Sequence, residues 1–296
     1  LHGIHLEGGR ATYRNRWVQT DGLAADRQAG RALWHGVAEP RASNPDDGSR
    51  LRLKDTANTD VLFHNGNLVV LWYLSGTPYR IDPFSLETVG AEDWGGTRQS
   101  CVSAHAKVDP RTGEFVYFDY GPTPPYMSYG VVSRDGVVTH HTEIDIPGAR
   151  MPHDMAITEN YSIVMDLPLV VDEASARAGR HRLEFLGDTP ARFGVIPRHG
   201  NDVRWFEAEP CYIYHSINAW EEGDEIVLSG QFLFDSESRL KEAIAKMLEV
   251  RSPAAEGGDE LNMDSMTMED DDLDMDGLTM EDDGSAASPA AEGTQP

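Results

Sequence analysis

The sequence predicts an all-β fold for residues 1–231, on three observations. Short apolar or β-branched runs recur, tight-turn signals stand between them, and few stretches carry a helical period. Many short antiparallel strands in one long domain fit a sandwich, a barrel or a propeller.

Strands are expected at Ala11–Val18, Leu68–Tyr73, Phe115–Tyr120, Tyr161–Asp166 and Glu225–Leu228. Glu7-Gly8-Gly9, Asn65-Gly66, Asp135-Gly136 and Glu222-Gly223-Asp224 supply turns between strands. Two segments echo each other: Ile81-Asp82-Pro83-Phe84-Ser85-Leu86-Glu87 and Val108-Asp109-Pro110-Arg111-Thr112-Gly113-Glu114. The echo favours repeated blades. The character changes after Gln231. A helical segment is expected over residues 232–251, where Leu240, Ile244, Met247 and Leu248 follow helical spacing behind a serine N-cap. Residues 252–296 hold no aromatic side chain and too little apolar surface to offset their ordering entropy, so a disordered acidic tail is expected. Within it, Asp272-x-Asp274-x-Asp276-Gly277 imitates the start of an EF-hand calcium loop. Asp283 stands where a bidentate Glu is usual, and no convincing helix flanks the loop, so a solvated tail is the better reading.

Charge and composition narrow the function. The 296 residues carry a net charge of −25, but fourteen Asp and Glu follow Arg251 with no Lys or Arg, leaving −11 on residues 1–251. Phosphate binding needs clustered Lys and Arg; no such cluster exists, which argues against a nucleic-acid partner. No run of eighteen apolar residues predicts a membrane-spanning helix. Leu1-His2-Gly3-Ile4-His5 lacks the basic region and apolar stretch of a signal peptide, and a chain that starts at Leu1 inside a strand reads as lacking its true N-terminus. Cys101 and Cys211 form neither a disulfide framework nor a C-x-x-C pair, so a cytoplasmic location is the simpler expectation and both cysteines read as core filling.

Most of the eleven histidines have nothing to set them apart from surface or core residues. His105, at the end of an expected strand, His153 and His215 differ. They are separated by 48 and 62 residues, roughly the length of a four-stranded blade. In a propeller, equivalent positions of separate blades meet at the axis, where neutral imidazoles suit iron, copper, zinc or nickel. Spacing alone leaves ordinary structural histidines the commoner reading.

The segments around these histidines resemble the carotenoid cleavage oxygenase family, which includes carotenoid, apocarotenoid and stilbene-cleaving dioxygenases and the retinal pigment epithelial isomerase. Matching pieces run in family order: Leu1–Ile4 with Thr12–Thr20, Ala57-Asn58-Thr59, Ala104-His105-Ala106-Lys107 with Asp109-Pro110, His153-Asp154 with Thr158–Tyr161, and His215–Glu222. The resemblance covers about residues 1–231 and stops near Gln231. It implies a seven-bladed β-propeller, here incomplete, with Fe(2+) on the axis held by four histidines and O2 added across a conjugated C=C bond to give two carbonyl products. His105, His153 and His215 match the first three ligands; the fourth has no match, with His181 and His199 weak substitutes. The implied partners are an apolar conjugated small molecule and O2, with peripheral membrane contact left open. The alternatives are stilbene cleavage and a truncated, inactive relic. The family typically places a Glu shortly after the strand Leu71-Trp72-Tyr73 to orient a ligand; this chain has Leu74-Ser75-Gly76. Stilbene-cleaving members tend to carry a Lys in the same neighbourhood, so Leu74 argues mildly against that branch, whereas His153–Tyr161 and Asn218–Glu222 look close to it. Asp154, Asn218, Glu221 and Glu222 are expected to hold turns and ligand geometry, and Trp72, Trp94, Trp205 and Trp220 to fill the core.

Overall fold

The computed structural model describes residues 1–36, 44–45, 53–172, 175, 182–223 and 225–232. The chain divides into two compact units, Leu1–Lys246 and Met247–Pro296, and the described residues all belong to the first.

A hairpin of β1 (His2–Glu7) and β2 (Arg10–Asn15) comes first. Gly8 and Gly9 make its turn at φ 55° and 76°, angles that only glycine adopts freely. The helix α1 (Asp21–Ala29) follows, an element that the strand-and-turn pattern does not predict. It is short, and local caps fix it. Thr20 Oγ1 accepts the Leu23 N–H at 3.1 Å, and Gly30 ends the helix in the left-handed conformation at φ 64°.

Three four-stranded antiparallel sheets form the body. The first runs β3 (Thr59–His64), β4 (Asn67–Trp72), β5 (Tyr79–Ile81) and β6 (Thr88–Ala91) in sequential order. The second runs β7 (Lys107–Val108), β8 (Phe115–Tyr120), β9 (Met127–Val132) and β10 (Val138–Ile144) in the same way. The third starts with β11 (Ala156–Ile157) and β12 (Tyr161–Asp166), makes an excursion through the hairpin β13 (Leu169–Val171) and β14 (Leu183–Phe185), and ends with β15 (Ala191–Pro197) and β16 (Arg204–Ala208). A last hairpin joins β17 (Ile213–Glu222) to β18 (Glu225–Phe232). The leading strands lie side by side, β3 against β7 and β11 against β17.

Strand β8 shows how the sheets stack. All six of its residues are buried, which explains why Phe115–Tyr120 reads as a continuous run rather than an alternating one. Phe115 and Tyr117 pack with Val69, Leu71 and Trp94 of the first sheet and its following loop. Val116, Phe118 and Tyr120 point the other way and join Met155, Val164 and Met165 of the third sheet. The period-two alternation thus buries both faces, because each sheet is covered by its neighbours.

Two expectations change. The echoed segments are the same turn used in different places: Asp82 Oδ1 accepts the N–H groups of Phe84 and Ser85 between β5 and β6, and Asp109 Oδ1 accepts that of Arg111 between β7 and β8. One joins the third and fourth strands of its sheet and the other the first and second, so the echo marks Asp-Pro turn chemistry and not a blade period. The described residues form three stacked sheets and flanking hairpins, and do not close a ring. Phe232, where the helical segment is predicted to begin, instead ends β18; the rest of that segment, the acidic tail and its EF-hand-like loop lie outside the described residues. Among the described residues no helix is long and apolar enough to cross a membrane.

Candidate metal centre

Three of the leading strands each carry one of the singled-out histidines at or near their start. His105 stands two residues before β7, His153 three residues before β11, and His215 is the third residue of β17. Each sheet spends a similar length of chain returning to the same side, so residues far apart in sequence come to one place. One donor nitrogen from each imidazole lies within 4.8 Å of the other two. The Nε2 atoms of His105 and His153 are 3.1 Å apart. The ring centroids of His105 and His215 are 4.6 Å apart and those of His153 and His215 5.1 Å. Among the described residues this is the group that could hold a metal ion.

The electrostatics favour the neutral form of His105 and His153. Burial lowers His153 to about 4, and the neighbouring His105 and His215 add to the shift while Asp154 opposes it. Burial also lowers His105, against the opposing pull of Asp154 and Asp60. A neutral imidazole offers the lone pair a metal needs. The donor set also fits by distance: two nitrogens about 2.1 Å from one metal at a right angle stand about 3.0 Å apart, close to the observed His105–His153 separation.

The backbone around the triad is specialised. His105 has φ 66°, in the left-handed region that bulky residues avoid. Its N–H donates to Asp60 Oδ2 of β3 at 2.8 Å, which holds the turn. Asp154, only 2% exposed, accepts from Lys107 Nζ at 2.6 Å, from the Met155 N–H at 2.7 Å, and from both the N–H and the hydroxyl of Ser216 at 2.8 Å. Glu221 accepts from the Thr158 hydroxyl and from the backbone and side chain of Asn160, tying β17 to the turn between β11 and β12. Asn218 and Glu222, expected to do similar work, are exposed.

Aromatic side chains flank the triad, and Tyr214 is 5.1 Å from His215 between ring centroids. Tyr214 lies 4.0 Å from His153 between ring centroids and Tyr73 lies 6.0 Å from it. Burial raises the Tyr73 phenol, and Tyr214 adds to the shift. An open groove of about 640 Å³ runs along the leading strands, lined by Leu62, Lys107, Arg111, Thr158 and Trp220. Trp220 is therefore not a core residue: it is 43% exposed, whereas Trp72 and Trp94 are buried and Trp205 packs on the core from its edge.

The family model described as retinal pigment epithelial membrane protein matches residues 1–282. The chain belongs to this family, that of the carotenoid cleavage oxygenases. A carotenoid 9,10(9',10')-cleavage dioxygenase of Crocus sativus is 37% identical over 248 residues, covering 77% of this chain and 45% of the relative. The crystal structure of a Pseudomonas brassicacearum lignostilbene dioxygenase superposes with a TM-score of 0.67 at 33% identity, over 77% of this chain and 48% of that one. A cobalt-substituted Synechocystis apocarotenoid oxygenase superposes with a TM-score of 0.64 at 26% identity, over 77% of this chain and 50% of that one. The chain spans about half the length of the relatives it matches. These relatives are named as oxygenases.

Within the family, one departure stands out. Leu74 is buried, 1% exposed, so an apolar side chain fills the neighbourhood where family members typically carry the orienting Glu. Among the described residues no carboxylate bonds to a ring nitrogen of the three histidines. His199, weighed as a substitute ligand, instead meets Glu114 at 2.9 Å, and His181 lies outside the described residues. The sequence singled out Asp154 but not Lys107 and Ser216, whose contacts to it are the feature that sequence reasoning missed. The only local signal for them was the position of all three residues within two of a singled-out histidine.

Proposed function

We propose that this chain carries the metal-binding part of an Fe(II)-dependent dioxygenase that cleaves a conjugated C=C bond of a carotenoid or apocarotenoid. The observation that carries the reading is the convergence of His105, His153 and His215 from three separate leading strands. His105, His153 and His215 would hold the iron through neutral nitrogens, with no carboxylate ligand among them. When bound, ferrous iron supplies the means of using O2 to split the substrate C=C bond into two carbonyl groups. Burial, helped by the neighbouring His105 and His215, lowers His153 to about 4 and keeps it free of a competing proton at neutral pH. Tyr73 and Tyr214 offer flat apolar surface against which a conjugated substrate can lie. Cobalt substitution in the Synechocystis relative supports a divalent metal in that protein, and by similarity here. We further propose that the three stacked sheets are blades of the family's seven-bladed propeller.

Stilbene cleavage is the second reading. Its support is the 33% identity to a lignostilbene dioxygenase, together with the two phenol rings beside His153, which suit a flat aromatic substrate. A third, an inactive relic, follows from three singled-out histidines where the family resemblance implies four.

One experiment separates these readings. The chain is purified, loaded with Fe(II) without oxygen, analysed for iron, and then given air with an apocarotenoid or a hydroxystilbene. The proposal expects about one iron per chain, near-complete loss of iron in His153→Ala, and aldehyde products from the apocarotenoid. Products from the hydroxystilbene alone favour the second reading, and bound iron with no product the third. Equal iron content in the parent and His153→Ala rejects the metal assignment.

A further inference from the structure

Orienting carboxylates normally bond the outer nitrogen of a ligand imidazole. Among the described residues none does so here, and Leu74 occupies the neighbourhood where one is typical. The backbone beside the three rings leads into, or belongs to, three strands that share no ladder.

We infer that the Asp154 carboxylate is the positioning residue that sets the mutual spacing of all three imidazoles. This rests on the metal-centre reading above. Each of its partners sits next to a singled-out histidine. Asp154 itself follows His153. Lys107, two residues after His105, donates at 2.6 Å to Oδ1. Ser216, the residue after His215, donates its N–H and its hydroxyl to Oδ2 at 2.8 Å. The Met155 N–H takes up Oδ1 from the Asp154 strand, and the Ser216 hydroxyl also reaches the Met155 carbonyl at 3.0 Å. One buried carboxylate therefore joins β7, β17 and the lead-in to β11.

The chemistry suits a latch. A carboxylate has two oxygens and room for about four hydrogen bonds, and here four donors from three chain segments fill it. Three of the donors come from other sheets, so a change of distance between sheets breaks a bond that water cannot easily replace at a site 2% exposed. Asp60 adds a second, weaker restraint by accepting the His105 N–H from β3, but it reaches only one histidine.

Co(II) titration of the full chain, followed by its visible spectrum and by competition for affinity, tests the latch without turnover. Asp154→Asn keeps the shape but removes the charge and one acceptor site. It is expected to bind Co(II) about tenfold to a hundredfold more weakly and to change the d–d bands, which report coordination geometry. Asp166→Asn removes an equally buried carboxylate, held by Arg150 and Arg192, that does not reach the triad. It is expected to lower thermal stability with Co(II) affinity and spectrum unchanged. Should Asp154→Asn fail to fold, Ser216→Ala, which deletes only the hydroxyl bonds, is expected to weaken Co(II) and shift the spectrum in the same direction. Parent-like Co(II) affinity and spectrum in a folded Asp154→Asn, or in Ser216→Ala if the first does not fold, overturn the latch alone. A parent chain that takes up no Co(II) overturns the metal centre and the latch with it.

Discussion

Asp154 Oδ2 accepts both the backbone N–H and the hydroxyl of Ser216 at 2.8 Å, so the residue after His153 is clamped to the residue after His215. The same carboxylate holds Lys107, two residues beyond His105. Three positions scattered over more than a hundred residues thereby share one buried anion.

Lys107 should matter for stability as well as for the site. Its side chain is 29% exposed while that of Asp154 is 2% exposed, so removing the cation leaves a desolvated carboxylate short of one strong partner. Lys107→Met is expected to cost roughly 1–3 kcal/mol in denaturant unfolding of the metal-free chain. A loss within error of zero would mean that water replaces the ammonium.

The left-handed backbone at His105 permits a comparison free of the ligand question. Both His105→Ala and His105→Gly delete the imidazole, but only glycine adopts φ 66° without strain. The Gly variant is expected to be about 1 kcal/mol more stable than the Ala variant, reversing the usual order of these residues. Equal stabilities measured by chemical denaturation would show that the turn relaxes.

Gly130 on β9 faces the ring of Tyr117. A Cβ there would stand 2.3 Å from Tyr117 Cζ, and that ring is fully buried against Trp94. Gly130→Ala is expected to destabilise the fold by roughly 1–3 kcal/mol through overpacking, read as a lowered unfolding midpoint. A neutral outcome would require the Tyr117–Trp94 stack to slide without loss.

Acid should weaken the metal-free fold through its buried histidines. Burial lowers His64, His105 and His141, and lowers His153 to about 4. In this range the unfolded chain takes up protons near pH 6.5 while the folded chain does not, so the unfolded state binds more protons and stability falls as pH drops. The contribution of His153 is complete above pH 6.5 and is lost progressively down to about 4. Denaturation midpoints at pH 7 and pH 5 check this, with the lower value expected at pH 5. Below that window Asp109 adds a second loss. Burial pushes its carboxyl up, but the Arg111 N–H and the Arg198 guanidinium more than offset this and hold it below its ordinary value.

Much of the local architecture was legible in the sequence because turns and strands obey short-range rules. Phe115–Tyr120 and Tyr161–Asp166 form strands over the bounds expected, and Asn65-Gly66 makes the tight turn between β3 and β4 at φ 46° and 79°. The helix α1 was hidden because its apolar residues are few, and its real signals, Thr20 before it and Gly30 after it, are caps and not periodicity. The repeated Asp-Pro turn misled for the opposite reason. Its hydrogen bonds are local, so it recurs wherever two strands meet and says nothing about its place in a sheet.

The sequence by itself determined which segments are strands, which residues turn them, and which three histidines stand among family-like words. Tertiary structure alone decided that those three imidazoles meet and that Asp154, Lys107 and Ser216 fasten them. Strand and turn preferences act over a few residues, whereas these contacts span 47 and 62 positions and exist only once stacked sheets have brought separate leading strands side by side.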